Sequence, residues 1–154
     1  MNATDPKFDP TPMPRLASVA PAGRYTVTVS WSQGPRAGIT ETVDLAPLIE
    51  QFRLYAPLRG NQALFDALGI VDGGVAIEWA DGEIDMAATS VERLAAEQMT
   101  GQDFAEFLKR NRLTRQAAAA ELGRSLRAVQ DYVKSTGPIP RIVALACKGY
   151  EASR

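Results

Sequence analysis

Residues 113–132 read LTRQAAAAELGRSLRAVQDY. Thr114 is a natural N-cap, because its hydroxyl can accept from an amide that the first helical turn leaves unpaired. Arg115 to Leu122 then reads as a short helix dominated by alanine. Ala117 to Ala120 are four strong helix formers in a row, and their lack of bulk lets another helix approach closely. Gly123 ends this helix, where a left-handed residue is needed and glycine adopts it without strain. Two residues later Ser125 can cap a further helix from Leu126 to about Val133. Val129, with Tyr132 or Val133, faces inward at helical spacing, which leaves Arg127, Gln130, Asp131 and Lys134 facing out. A cap, a short helix, a glycine turn and a second capped helix with a polar outer face predict a helix-turn-helix.

The flanks fit a helical domain. Thr100 or Gly101 starts a helix whose Phe104, Phe107 and Leu108 share one buried face. Lys109, Arg110 and Arg112 close it, where cations suit the negative end of the helix dipole. Downstream, Pro138 and Pro140 separate the pair from a last helix over Arg141 to about Cys147, which Gly149 is expected to terminate. Residues 98–154 thus read as a domain of four or five helices.

The stretch from Leu113 to Tyr132 resembles the lambda-repressor-like, Xre-type helix-turn-helix. Thr114, Ala119, Leu122, Gly123, Ser125 and Val129 match that pattern at its own spacing. The run from Pro138 to Ala146 is similar to the segment that closes such domains. The resemblance covers about 50 residues. It departs from the pattern at Arg124, where a small or apolar residue is usual, and at Leu126, where a polar base-reader is usual. It implies double-stranded DNA as partner. By position, Arg115 and Ser125 would touch phosphates. Leu126, Arg127, Gln130 and Asp131 would face the major groove, with Arg suited to guanine, Gln to adenine and Leu126 to a thymine methyl. Lys134 and Arg141 would hold the DNA backbone.

The front half has a different grammar. Residues 1–23 carry Pro6, Pro10, Pro12, Pro14 and Pro21 and no apolar period, which predicts an irregular tail. Tyr25, Val27, Val29 and Trp31 alternate with polar residues, the pattern of a half-buried strand. Gly34, Pro35 and Gly38 mark a turn, and Ile39 to Leu45 is a plausible hairpin partner. A short helix follows Pro47, with Leu48, Ile49 and Phe52, and another covers Gln62 to Ala67. Asp72-Gly73-Gly74 separates Ile70-Val71 from Val75–Trp79, a hairpin signal. Asp81-Gly82 turns into Glu83–Met86. Thr89 or Ser90 can cap a helix over Val91 to Met99 that links the two halves. These signs predict an antiparallel α+β domain of four or five strands over residues 24–97. The segments Val43–Leu48, Pro57-Leu58 and Ile77–Gly82, with Phe65 and Asp85, look like a small bacterial α+β family of unknown function. Some members of that family end in an Xre-like domain, and some lie beside toxin genes. The fold class expected for the whole chain is α+β, a small antiparallel sheet domain followed by an all-α domain.

Composition narrows the chemistry. The 154 residues are 45% hydrophobic and 23% charged, as in ordinary globular proteins. There is no histidine and one cysteine. Histidine-based triads and dyads, histidine-ligated metals, internal disulfides and multi-cysteine zinc sites are therefore excluded. No apolar run approaches a membrane span, and no basic stretch with an apolar core suggests a signal peptide. The net charge of −1 hides an asymmetry. Residues 1–97 hold 7 Lys and Arg against 13 Asp and Glu, while residues 98–154 hold 10 against 5. The back half thus carries +5 and suits an anionic partner.

Three smaller features receive structural readings. Asp81, Glu83 and Asp85 would share one face if they lay in a strand, where a hard cation could bind, although a polar sheet face is the ordinary meaning. Trp31 and Trp79 read as core, although one could line a ligand cleft. Cys147, among Val143, Ala144, Leu145 and Ala146, reads as a buried thiol. The sequence therefore points to a cytoplasmic, sequence-specific DNA-binding regulator, without cofactor or catalytic residues, acting as a homodimer. Its front domain would serve dimerisation, sensing or partner binding. The alternative is an antitoxin-like protein-interaction module with a degenerate helix-turn-helix.

Overall fold

The strand expected from Tyr25 to Trp31 forms as β2 (Thr26–Gln33), with Val27, Val29 and Trp31 buried on one face. The computed structural model describes residues 12–154. In it β2 pairs antiparallel with β1 (Arg15–Gly23) on one side and with β3 (Thr40–Asp44) on the other. A second three-stranded antiparallel sheet has β5 (Ala76–Trp79) between β4 (Gly69–Ile70) and β6 (Ile84–Ala87). The α+β class is as expected. Among the described residues the front half holds six strands in two sheets rather than four or five.

The additional strand is β1, which occupies Arg15–Gly23 of the stretch expected to be an irregular tail. Residues 1–11 of that stretch lie outside the described residues. Only Leu16 of β1 is buried, so the strand has no period-2 apolar signature to read. It is held by its backbone ladder to β2 and sits at a sheet edge, where Pro21 removes no donor that the ladder needs. Gly74 allows this placement. It lies at φ +72, and a Cβ there would come within 2.0 Å of the Leu16 carbonyl oxygen.

Helices α1 (Ala46–Ile49) and α2 (Gln62–Asp66) fill the expected short segments. Leu48, Ile49 and Phe65 join Val27, Val43, Ile77, Trp79 and Met86 in one core. Phe52, expected to accompany Leu48 and Ile49, is instead 47% exposed. Both tryptophans are buried and bonded. Trp79 Nε1 donates to the Phe65 carbonyl at 3.0 Å, and Trp31 Nε1 donates to Glu41 at 2.8 Å.

Helix α3 (Ala88–Glu97) begins directly after β6. Thr89 and Ser90 therefore lie within its first turn rather than before it. Ala88 is fully buried and its amide donates to the Val75 carbonyl, a tertiary contact that starts the helix early. The three carboxylates expected on one strand face are not so arranged. Asp81 is in a turn at φ 53, Glu83 follows that turn, and only Asp85 is in β6.

The remaining elements are α4 (Gly101–Arg110), α5 (Arg115–Leu122), α6 (Leu126–Lys134) and α7 (Arg141–Ala152). The chain divides into two compact units, one ending at Ala95 and the other spanning Ala96–Arg154. The second unit has its own core of Phe104, Phe107, Ala118, Val129, Val143 and Cys147. Burial pushes the Cys147 thiol up to about 11, so it stays protonated at neutral pH. Helix α7 runs through Gly149, where termination was expected. Tyr150 packs edge-on against Phe107 at 5.9 Å, and Glu151 binds Arg110 and Asn111. These contacts outweigh the ~1 kcal/mol that glycine costs in a helix interior. No helix among the described residues is long and apolar enough to cross a membrane.

Candidate nucleic-acid interface

Three N-caps set the geometry of the second unit. Thr100 and Asp103 exchange hydrogen bonds in a capping box at the start of α4. Thr114 Oγ1 accepts from the Ala117 amide at 3.0 Å, and Ser125 Oγ accepts from the Ala128 amide at 3.0 Å. Each cap pairs a helix-start donor that would otherwise need water. Between α5 and α6 the turn is three residues long. Gly123 is left-handed at φ 63, and the Arg124 amide donates back to the Ala119 carbonyl at 2.9 Å. The expected helix, turn and helix are therefore present with the expected caps.

Packing decides which face of α6 is left outside. Val129 is fully buried, and Tyr132 sets its ring edge-on to Phe104 at 5.8 Å. Gly101 lets α4 meet the end of α6. A Cβ on it would lie 2.1 Å from the Ser135 carbonyl oxygen and 2.7 Å from that of Tyr132. The buried residues of α5 are Ala118 and Ala119, small enough for close helix packing. With that side of α6 covered, Leu126, Arg127, Asp131 and Lys134 are exposed. Gln130, expected to face out with them, is partly covered. It follows Val129 directly, so its side chain lies at the margin of the buried stripe. Arg115 is exposed at the start of α5, and Ser125 is exposed at its cap position.

The ion pairs sort the cations of this unit into two sets. Arg110 grips Glu151 with two bonds, at 2.8 and 2.7 Å, and Asn111 adds a third at 3.0 Å. These donors pull the Glu151 carboxyl down to about 2, while the same bond raises the pKa of Arg110. Arg141 binds Glu97 at 2.8 Å, and Lys148 donates to the Glu97 carbonyl at 3.0 Å. By contrast, Arg115, Arg124, Arg127 and Lys134 form no ion pair among the described residues. These four lie on α5, α6 or the turn between them, and Lys109 on α4 and Arg112 just after it are likewise without an ion pair among the described residues. Of the eight residues singled out from sequence, Ser125, Leu126, Arg127, Gln130, Asp131 and Lys134 thus lie along α6 and its cap. Arg115 begins α5. Arg141 is on α7 and already engaged by a carboxylate.

Arg124 was not among the residues singled out as DNA-facing, because its position is normally small or apolar in the resembled pattern. Its exposure in the turn is the missing signal, and only the fold supplies it.

No family model matches the chain, and no curated protein matches it. Among solved structures, the chain is similar to the crystal structure of a "putative DNA binding protein" from Nitrosomonas europaea. The two are 28% identical over 96% of this chain and 92% of that one, with a TM-score of 0.46.

Proposed function

We propose that the protein binds duplex DNA sequence-specifically through α6 and acts as a dimeric transcriptional regulator. The observation that carries this reading is the sorting of cations. Carboxylates engage Arg110 and Arg141, while the cations on α5, α6 and their turn keep their charge free for solvent. Free, exposed cations release counterions from DNA when they meet phosphates, which is the main source of affinity.

In this reading α6 enters the major groove as the second helix of an Xre-type pair. Arg127 is suited to the guanine edge, Gln130 to adenine and Asp131 to the cytosine amino group, while Leu126 meets a thymine methyl. Arg115 and Ser125 contact phosphates near the starts of α5 and α6. Lys134 holds the DNA backbone; Arg141, which the resembled pattern also places there, is the exception among these residues, since it must first leave Glu97. The front unit would supply dimerisation, sensing or partner binding. Its large exposed side chains, Phe52 and Leu54, are available for such a contact.

Selection of bound sites from a pool of random duplexes tests the proposal. The expected product is a two-fold-related motif with half-sites about one DNA turn, roughly 34 Å, apart. Binding should weaken linearly in log–log terms as salt rises. A pool that shows no enrichment, together with salt-insensitive binding, would overturn the reading.

A further inference from the structure

Helices α4 and α5 end in the same way but with different residues. At the end of α5, Gly123 is left-handed and the next amide, that of Arg124, donates to the Ala119 carbonyl five residues back. At the end of α4, Arg112 is left-handed at φ 54, and the Leu113 amide donates to the Leu108 carbonyl at 2.9 Å. Glycine is the usual occupant of this position, because a side chain there crowds its own backbone. The fold has given one helix end the unstrained residue and the other an arginine.

The other non-glycine residues at positive φ among the described residues are Tyr25, Ala80 and Asp81. Tyr25 is compensated, since its buried ring packs edge-on against Phe65 and its hydroxyl accepts from the Gly60 amide at 3.1 Å. Asp81 belongs to a residue type that tolerates the left-handed region, and Ala80 stands beside it in the tight turn between β5 and β6, which fixes both at φ 53. Arg112 has no such account. Its side chain is exposed and makes no hydrogen bond, ion pair or ring contact among the described residues. A cation does suit the negative end of α4, but Lys109 and Arg110 already stand in its last turn.

We propose that Arg112 is a DNA-phosphate-binding side chain, a second backbone contact alongside Arg115 across the Thr114 cap. This rests on the DNA-binding reading and adds to it a residue outside the resembled pattern. The backbone strain at Arg112 persists because the charge is used in the complex, whereas in the free protein the end of α4 already has Lys109 and Arg110. The contact is sequence-independent, since a phosphate carries no base information.

The test uses the full chain and its Arg112→Gly and Arg112→Lys variants. Each is titrated against a selected duplex and a scrambled duplex over a salt series, and each is melted thermally. Arg112→Gly should weaken binding equally on both duplexes, and its log–log salt slope should be shallower by about 0.9. Between 50 and 200 mM salt it should therefore lose about threefold less affinity than the parent. Its melting temperature should stay level or rise, because glycine relieves the left-handed strain. Arg112→Lys should keep the parent slope. If the parent binds DNA and Arg112→Gly has the same slope, the proposal is overturned and the DNA reading stands. If Arg112→Gly binds less well but also melts lower, the role is structural and the proposal is overturned. If the parent binds neither duplex, both fall together.

Discussion

Arg36 in the front unit and Arg127 in the helical unit show two uses of charge. Arg36 donates two bonds of 2.6 Å to Glu41, which also accepts from the Trp31 indole. Arg59 donates to the carbonyls of Ile49 and Phe52, closing the segment that follows α1. Both arginines complete the fold of their own unit. On α6, Arg127 and Lys134 complete nothing. Neither forms an ion pair among the described residues, although the exposed Asp131 shares their helix, while Glu97 and Glu151 are held by Arg141 and Arg110. A paired charge has little field left for a partner, whereas an unpaired one keeps its counterions until a phosphate displaces them. The difference between these arginines is thus one of charge use, and not merely of net charge.

The largest expected effect tests whether the two units are energetically separate. Both tryptophans lie in the front unit, so their fluorescence reports that unit, while helical circular dichroism is dominated by the other. Phe104→Ala removes a fully buried ring and should destabilise the helical unit by about 3–5 kcal/mol. In denaturant titrations the circular dichroism transition should move to lower concentration with the fluorescence transition unmoved. Coincident shifts of both signals would break the comparison.

A smaller effect sharpens the contrast within the helical unit. Arg127→Ala should cost about 1–3 kcal/mol on a selected duplex and much less on a scrambled one. Arg115→Ala should weaken both duplexes alike. Equal losses on the two duplexes for Arg127→Ala would remove it from base reading.

The smallest effect concerns the paired set. The folded-state pKa of Glu151 lies near 2, below its ordinary value of 4.5. A depressed carboxylate contributes stability that is present above pH 4.5 and is lost as pH falls towards 2. Glu151→Gln should therefore show a flatter stability profile than the parent between those limits, with the two curves converging at the acid end. Parallel curves across the window would show that the Arg110–Glu151 pair contributes nothing to acid sensitivity.

Much of the helical unit was readable because its signals are local. A cap and the amide it binds are three residues apart, and a glycine at a helix end declares itself. The sheet unit was readable where one strand face is buried, as in β2, and unreadable in β1, where a single buried leucine carries no period. The start of α3 was missed because a contact to Val75, not a cap, begins the helix. The end of α7 was missed because Tyr150 and Glu151 reach across to α4.

The candidate site divides along the same line. Local spacing is sufficient for the caps at Thr114 and Ser125, the left-handed turn at Gly123 and the buried stripe through Val129. Hydrogen bonds over two to five residues and a 3.6-residue period are enough for these. Which cations are free is instead a matter of long-range packing. Glu151 finds Arg110 from 41 residues away, and Glu97 finds Arg141 from 44. Nothing in spacing or composition encodes such partners. They exist because packing α7 against α4 and against the end of α3 brings distant carboxylates and guanidinium groups within hydrogen-bonding reach. The same packing leaves Arg112, Arg115, Arg124, Arg127 and Lys134 facing water.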